Sequence, residues 1–328
     1  MPELPEVETV RAGIVEYALG AEIESVVVHD IRSIRRYAGD AHQFVEELTG
    51  AVIVDAARRG KYLWLVLAPR HCAAGGIEKI SDLSQIPPAL VIHLGMSGQV
   101  LFKDSTFAAD KHLKITLGLK LNDGSATELR FVDQRIFGGM FLDEWVHTTD
   151  AAGELIPSAS RSNLGLPVVP RAVSHIARDP LDPNFSYADF RTKLRKTSSG
   201  IKRLLLDQSV ISGVGNIYAD EALWRAKLHY NKPAKSLTAA QSRTLVDAVS
   251  DVMQQALVAG GTSFDALYVN VNGQSGYFDR SLHAYGQAGK PCVRCLEAGK
   301  TSIIVREPFM NRSSYRCPRC QRAPRQAP

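Results

Sequence analysis

Hydrophobic positions along the chain change their repeat twice, and the changes divide it. Val7, Val10, Ile14 and Tyr17 recur at helical spacing and Gly20 follows, which predicts an opening helix. Short β-like runs then succeed one another at 22–30, 51–57, 62–67, 89–94, 97–102, 112–121, 126–132 and 138–143. The triplet Asn122-Asp123-Gly124 is a strong hairpin turn between two of them. Many short strands with turn signals predict a β-sandwich or barrel. The stretch 71–88 has no clean period and reads as a surface insertion, with Cys72 inert in it.

From Asp150 to Pro183 the chain is rich in Pro, Ser and Ala and reads as a linker. Helical spacing returns at 187–194, 201–206, 217–226 and 239–259. Thr238 caps the last helix and Gly260-Gly261 end it. Strands at 302–306 and 313–316 are expected to form a hairpin in the tail. The predicted layout is 1–150 as a β domain, 151–183 as linker, 184–284 as a helical domain and 285–328 as a cysteine-bearing module. In class this is a multidomain α+β protein.

Length, charge and cysteines sharpen that layout. At 328 residues the chain exceeds one small core. No apolar run reaches the ~18 residues of a membrane span, and the N-terminus has no secretory pattern, so a soluble cytoplasmic protein is expected. Net charge is +5. Nine Lys and Arg stand against two Glu from Tyr285 onward, so the tail alone carries +7 and the remainder −2. A polyanion is the expected partner of that tail. Four of the five cysteines, Cys292, Cys295, Cys317 and Cys320, fall in two Cys-x2-Cys pairs, the spacing of one structural four-thiolate zinc site.

The chemistry is expected at the other end. Removal of Met1 exposes Pro2, a secondary amine whose pKa of roughly 7.7–8 leaves much of it unprotonated near neutrality. Such an amine attacks aldehyde-like carbons to give an iminium. Glu3 and Glu6 lie within reach as acid or base. Gly213 and Gly215 precede a helix beginning near Asn216, the arrangement of a phosphate site, with Lys193, Arg195, Lys196, Lys202 and Arg203 upstream. His93 to Gly98 and Asp133 to Gly138 are turn-like, and place Met96, Arg135 and Phe137 at loop tips. Such residues either pack or wedge into a base stack.

Together the motifs PELPEVET, RRGKYL, HLGMSG, DQRIFG, GVGNIYADE and NRSSYRCPRC resemble those of bacterial formamidopyrimidine-DNA glycosylases. The likeness runs from Pro2 to Cys320. It implies an N-terminal β-sandwich with flanking helices, a helix-two-turn-helix domain with a lesion-capping loop, and a zinc-finger hairpin. It implies excision of 8-oxoguanine and formamidopyrimidines from double-stranded DNA, and action on abasic sites, by a monomer without a redox cofactor. Pro2 is then the nucleophile, Glu3 the acid at the sugar ring oxygen, Glu6 a supporting acid and Lys61 a catalytic, phosphate-contacting lysine. Arg312 grips phosphates and assists δ-elimination. His112, Arg135, Asn216 and Lys196 contact DNA, while Met96, Arg135 and Phe137 fill the gap left by the extruded base. Leu4 stands where the related endonuclease VIII branch, which prefers oxidised pyrimidines, has glycine. Gln134, Ile136 and Gln274 depart from the common pattern and bear on lesion preference. A damage-binding protein without catalysis is the alternative of another class; Pro2, Glu3 and Lys61, all present, argue against it.

Overall fold

The computed structural model describes residues 2–69, 86–150, 153–158, 162–261, 271–272 and 278–324. Residues 71–85 of the expected insertion, with Cys72, and also Gln274 and Met1 lie outside them; its last three residues, 86–88, are described and lead into the sheet. Two compact units form: 1–175 together with 260–276, and 176–259 together with 277–328.

In the first unit, helix α1 (Leu4–Ala18) is followed by strand β1 (Glu22–Val28), helix α2 (Ala41–Leu48), and strands β2 (Val52–Arg59), β3 (Tyr62–Ala68), β4 (Ala89–His93), β5 (Gly98–Lys103), β6 (Leu113–Lys120), β7 (Ala126–Asp133) and β8 (Gly139–Asp143). The eight strands make one antiparallel sheet in the order β5-β7-β6-β1-β2-β3-β4-β8. That order cannot stay flat. Strands β4 and β5 stand six places apart, about 29 Å at ~4.8 Å per strand. Only residues 94–97 join them, a chain reach of at most ~18 Å. The sheet therefore rolls, and residues of both halves, such as Leu65, Ile92, Ile115 and Phe131, share one core. The expected sandwich is thus a single ladder folded over.

Helix α1 packs on β2 and β3. Its buried side chains Val7, Val10 and Ile14 join that core, as the spacing predicts. Gly13 lets the returning segment approach: a Cβ there would lie 2.4 Å from Val271 Cγ2. Helix α2 is absent from the sequence reading because only Phe44 and Leu48 are buried on it. Its start is nonetheless written in the chain, since Asp40 and Gln43 form a reciprocal capping box.

The stretch expected as linker is docked on the first unit up to residue 175, and 176–183 belong to the second. Strand β10 (Val168–Pro170) pairs with β9 (Trp145–His147). Arg59 Nε donates to the Ser158 carbonyl at 3.0 Å, and Asp55 accepts from the Leu164 amide at 3.1 Å. Buried polar groups on β2 thus hold a segment whose composition alone reads as tether.

The second unit contains helices α3 (Tyr187–Arg195), α4 (Ile201–Leu205), α5 (Asn216–Arg225), α6 (Ala239–Val258) and α7 (Val293–Glu297), and a hairpin of β11 (Val305–Phe309) and β12 (Arg312–Arg316). The first hairpin strand begins later than the expected 302–306. Residues 302–304 turn instead to 290–292, through Cys292 N–H to Ser302 O and Ile304 N–H to Lys290 O, and so close the cysteine knuckle.

Candidate active site and nucleic-acid interface

At the start of α1 the chain is buried, not solvated. Glu3 and Glu6 are 3% and 8% exposed, and Pro2 is buried beside them. Glu6 accepts from the Glu3 amide at 2.8 Å, completing a capping box in which Glu3 is the cap. Glu8 anchors the helix. Its carboxylate accepts from Arg58 Nε at 2.9 Å and from Arg11 Nε at 3.0 Å, and Arg11 reaches on to the Ala56 carbonyl. Burial pushes the Glu8 carboxyl up, but Arg58 and Arg11 outweigh it and hold the group below the usual carboxylate range.

The register of these contacts fixes direction. Advancing from Glu8 to Arg11 moves back along β2 from Arg58 to Ala56. The N-terminus of α1 therefore points to the β2–β3 turn, where Gly60 and Lys61 sit. Arg58 Nη1 also donates to the Gly60 carbonyl at 3.1 Å, tying that turn to the same anchor. Proline, acids and lysine are brought to one end of the sheet.

A second cluster joins the two loop tips. Asp133, fully buried, accepts from the Ser97 hydroxyl, from the Arg135 amide at 3.1 Å and from the Gly138 amide at 2.8 Å. One carboxylate thereby couples the loop of Met96 to the loop of Arg135 and Phe137. The backbones touch at Gly95, where a Cβ would meet Gly138 N at 2.3 Å. Phe137 is half exposed and the Arg135 guanidinium lies 5.1 Å from its ring. Between them Ile136 adopts φ +54°, a left-handed conformation that costs a β-branched residue about 1–2 kcal/mol. His112 enters through its main chain, accepting from the Asp133 amide at 3.0 Å. Nearby His93 is held down to about 4, first by burial and then by the charges of Arg36, Lys61 and Arg35. It is neutral at physiological pH.

In the second unit Asn216 opens α5, as expected. Its Nδ2 donates to the Ser313 carbonyl on β12 at 3.0 Å, so one amide hydrogen holds the hairpin and one remains. Its Oδ1 is buried with no hydrogen-bond partner among the described residues. Arg312 and Lys196 are exposed, Arg312 at the start of β12 and Lys196 at the end of α3. Lys202 corrects the sequence reading. It is fully buried, paired with Asp220 at 2.7 Å and bonded to the Ser313 carbonyl at 3.2 Å, so it serves the scaffold and not a phosphate. Asp220 also accepts from Ser314 Oγ at 2.8 Å and the Tyr315 amide at 3.0 Å. Burial pushes its carboxyl up to about 6 against the pull of Lys202. Next to it Glu221 accepts the amides of His283, Ala284 and Tyr285.

The four cysteine sulfurs lie within 4.8 Å of one another. Separations of 3.4 Å for Cys295–Cys320, 3.7 Å for Cys295–Cys317 and 4.0 Å for Cys292–Cys320 bracket the ~3.8 Å edge of a tetrahedron with 2.3 Å metal–sulfur bonds. Trp224 of α5 donates to Cys292 Sγ at 3.4 Å.

Sequence reasoning missed the three carboxylate hubs, Glu8, Asp133 and Asp220. All three stand inside motifs it quoted, and an acid whose donors lie elsewhere in the chain leaves no signature beyond its letter.

Two family models match the chain: the formamidopyrimidine-DNA glycosylase N-terminal domain over residues 1–140 and the formamidopyrimidine-DNA glycosylase H2TH domain over 176–266. Curated proteins named formamidopyrimidine-DNA glycosylase align along the full length. That of Rhodococcus jostii is 49% identical, covering 100% of this chain and 98% of the relative. That of Streptomyces coelicolor is 48% identical, covering 100% of both. Among solved structures, the Lactococcus lactis Fpg bound to abasic-site DNA superposes with TM-score 0.74 at 27% identity, over 98% of this chain and 100% of that one. A MutM complex with DNA containing carbocyclic 8-oxo-G gives TM-score 0.74 at 28% identity, with the same coverage. The chain belongs to the formamidopyrimidine-DNA glycosylase family.

Proposed function

We propose that this protein is a bifunctional DNA glycosylase and abasic-site lyase of base excision repair, acting on oxidised purines in duplex DNA. The observation that carries the reading is the buried start of α1, which directs Pro2 and Glu3 to the turn bearing Lys61. Extruding the damaged nucleotide costs a few kcal/mol, least for a poorly stacked base. Met96, Arg135 and Phe137 occupy the space it leaves. The Pro2 nitrogen attacks C1′ of the sugar, the C1′–base bond breaks, and the base departs with the bonding pair and takes up a proton. Glu3 protonates the ring oxygen as the sugar opens, leaving an iminium between Pro2 and C1′. That cation acidifies the C2′ hydrogen, and loss of this proton expels the 3′ phosphate; a second elimination expels the 5′ phosphate. Glu6 supports Glu3 through the capping box. Lys61, His112, Lys196, Asn216 and Arg312 contact phosphates, and Arg312 also aids the second elimination.

The sulfur spacing fits one structural zinc, held by Cys292, Cys295, Cys317 and Cys320, with no position left for substrate. On the same reading the protein acts as a cytoplasmic monomer that needs no redox cofactor. No helix among the described residues is long and apolar enough to cross a membrane.

Borohydride trapping on duplex DNA containing 8-oxoguanine opposite C is the test. A covalent protein–DNA product is expected from the native chain. None is expected from a version with an uncleavable N-terminal extension, which still binds the DNA. Equal trapping by both would remove Pro2 from the mechanism.

A further inference from the structure

Arg35 follows a short 3-10 turn, Ile31–Ile34, yet its side chain serves a loop 101 positions away. Nη1 donates to the carbonyls of Ile136 and Gly138, both at 3.1 Å, and Nη2 to that of Phe137 at 2.9 Å. Nη1 also bonds the Arg32 carbonyl at 2.8 Å, closing the arginine onto its own turn. Three successive carbonyls of the loop thus converge on one planar cation. The residue at their head, Ile136, holds φ +54°. A β-branched side chain does not keep that conformation unless its surroundings fix it. Asp133 fixes the loop from the amide side, at Arg135 and Gly138. Arg35 fixes it from the carbonyl side. Arg135 and Phe137, which project from this loop into solvent, inherit their direction from the two clamps.

We propose that Arg35 is a positioning residue for the gap-filling loop and thereby sets which base is tolerated opposite the lesion. The proposal rests on the reading of Met96, Arg135 and Phe137 as void-filling residues. A guanidinium suits the task because its donors form a rigid fork, whereas an ammonium is a point charge on a flexible stem. A role in geometry and a role in charge are therefore separable.

The experiment compares Arg35→Ala, Arg35→Lys and Phe137→Ala. Excision of 8-oxoguanine is measured opposite each of the four bases, with borohydride trapping on single-stranded abasic DNA, where no gap needs filling. 2-Aminopurine placed opposite the lesion reports loop insertion, and thermal melting checks the fold. Phe137→Ala should lower duplex excision and the 2-aminopurine signal. If it changes neither, the void-filling reading itself fails. Given that it does, Arg35→Ala should reduce kcat on duplex lesions roughly tenfold, the scale of a small misplacement. It should also compress the spread of rates among opposite bases while single-stranded trapping stays within about twofold. Arg35→Lys should resemble Arg35→Ala. Full recovery with lysine, or an unchanged opposite-base spread in Arg35→Ala, would overturn the positioning role.

Discussion

On α1, Glu8 receives two arginines, Arg58 and Arg11, and lies 2% exposed against β2. On α5, Asp220 receives one lysine, Lys202, with a hydroxyl and an amide, and is fully buried against β12. Both acids fasten a helix whose N-terminal end carries proposed functional groups, Pro2 with Glu3 just before α1 in one unit and Asn216 at the start of α5 in the other. Their protonation runs in opposite directions. Two guanidiniums overcome the burial of Glu8, whereas Lys202 and its companions leave Asp220 pushed up to about 6. The proposed catalytic end is built on a carboxylate that stays charged, and the proposed phosphate-contacting end on one near its switching range.

Four measurements press on that contrast. The largest effect is expected from Cys317→Ser. The second unit has a metal-type knuckle in its scaffold and the first has none among its described residues, so this change should unfold the tail and abolish DNA binding while the first unit keeps its own melting transition. Surviving DNA affinity would make the hairpin dispensable. Next is Glu8→Ala, which strands two buried guanidiniums and should cost about 3–5 kcal/mol in urea unfolding of the first unit. A cost below 1 kcal/mol would show that the helix is held by Val7, Val10 and Ile14 alone.

Asp220→Asn keeps an acceptor but leaves the fully buried Lys202 without its counter-charge, for a cost of about 3 kcal/mol. Its clearer signature is in pH. Because the folded value lies above the ordinary 3.8, the folded state holds more protons in that window, and stability falls as pH rises from 3.8 through about 6. Asp220→Asn should flatten that part of the profile for the second unit. Glu8 works the other way: its contribution is complete above the ordinary 4.5 and is lost as pH falls through its lowered folded value. Unchanged slopes in both variants would dissolve the comparison. The smallest effect belongs to Arg32→Ala, which breaks a solvent-exposed pair with Asp30 at 2.7 Å and should leave the urea midpoint of the first unit unchanged, because water screens the pair; a clear shift of that midpoint would show otherwise.

Local signals were legible in the sequence and distant ones were not. The apolar repeat of α1, the Asn122-Asp123-Gly124 turn, the start of α5 at Asn216 and the paired cysteines each announce themselves within a few residues. Strand order is invisible to such signals, because nothing in β4 or β5 says that they take opposite halves of a rolled sheet. Lys202 illustrates the limit. In a run of cations it reads as one more phosphate contact, and only Asp220, eighteen positions on, takes it out of solvent. Arg35 is the same case at greater range.

Rolling the sheet leaves two strands, β5 and β8, at the ends of the hydrogen-bonded ladder. An open rim of this kind invites another polypeptide to pair with it and aggregate. Here the amide of Phe102 on β5 is taken by the carbonyl of Val271, a residue that returns to the first unit after α6. Val271 is thus also a guard on a sticky margin, and a chain that lost its grip there would bare a rim ready to pair with other chains.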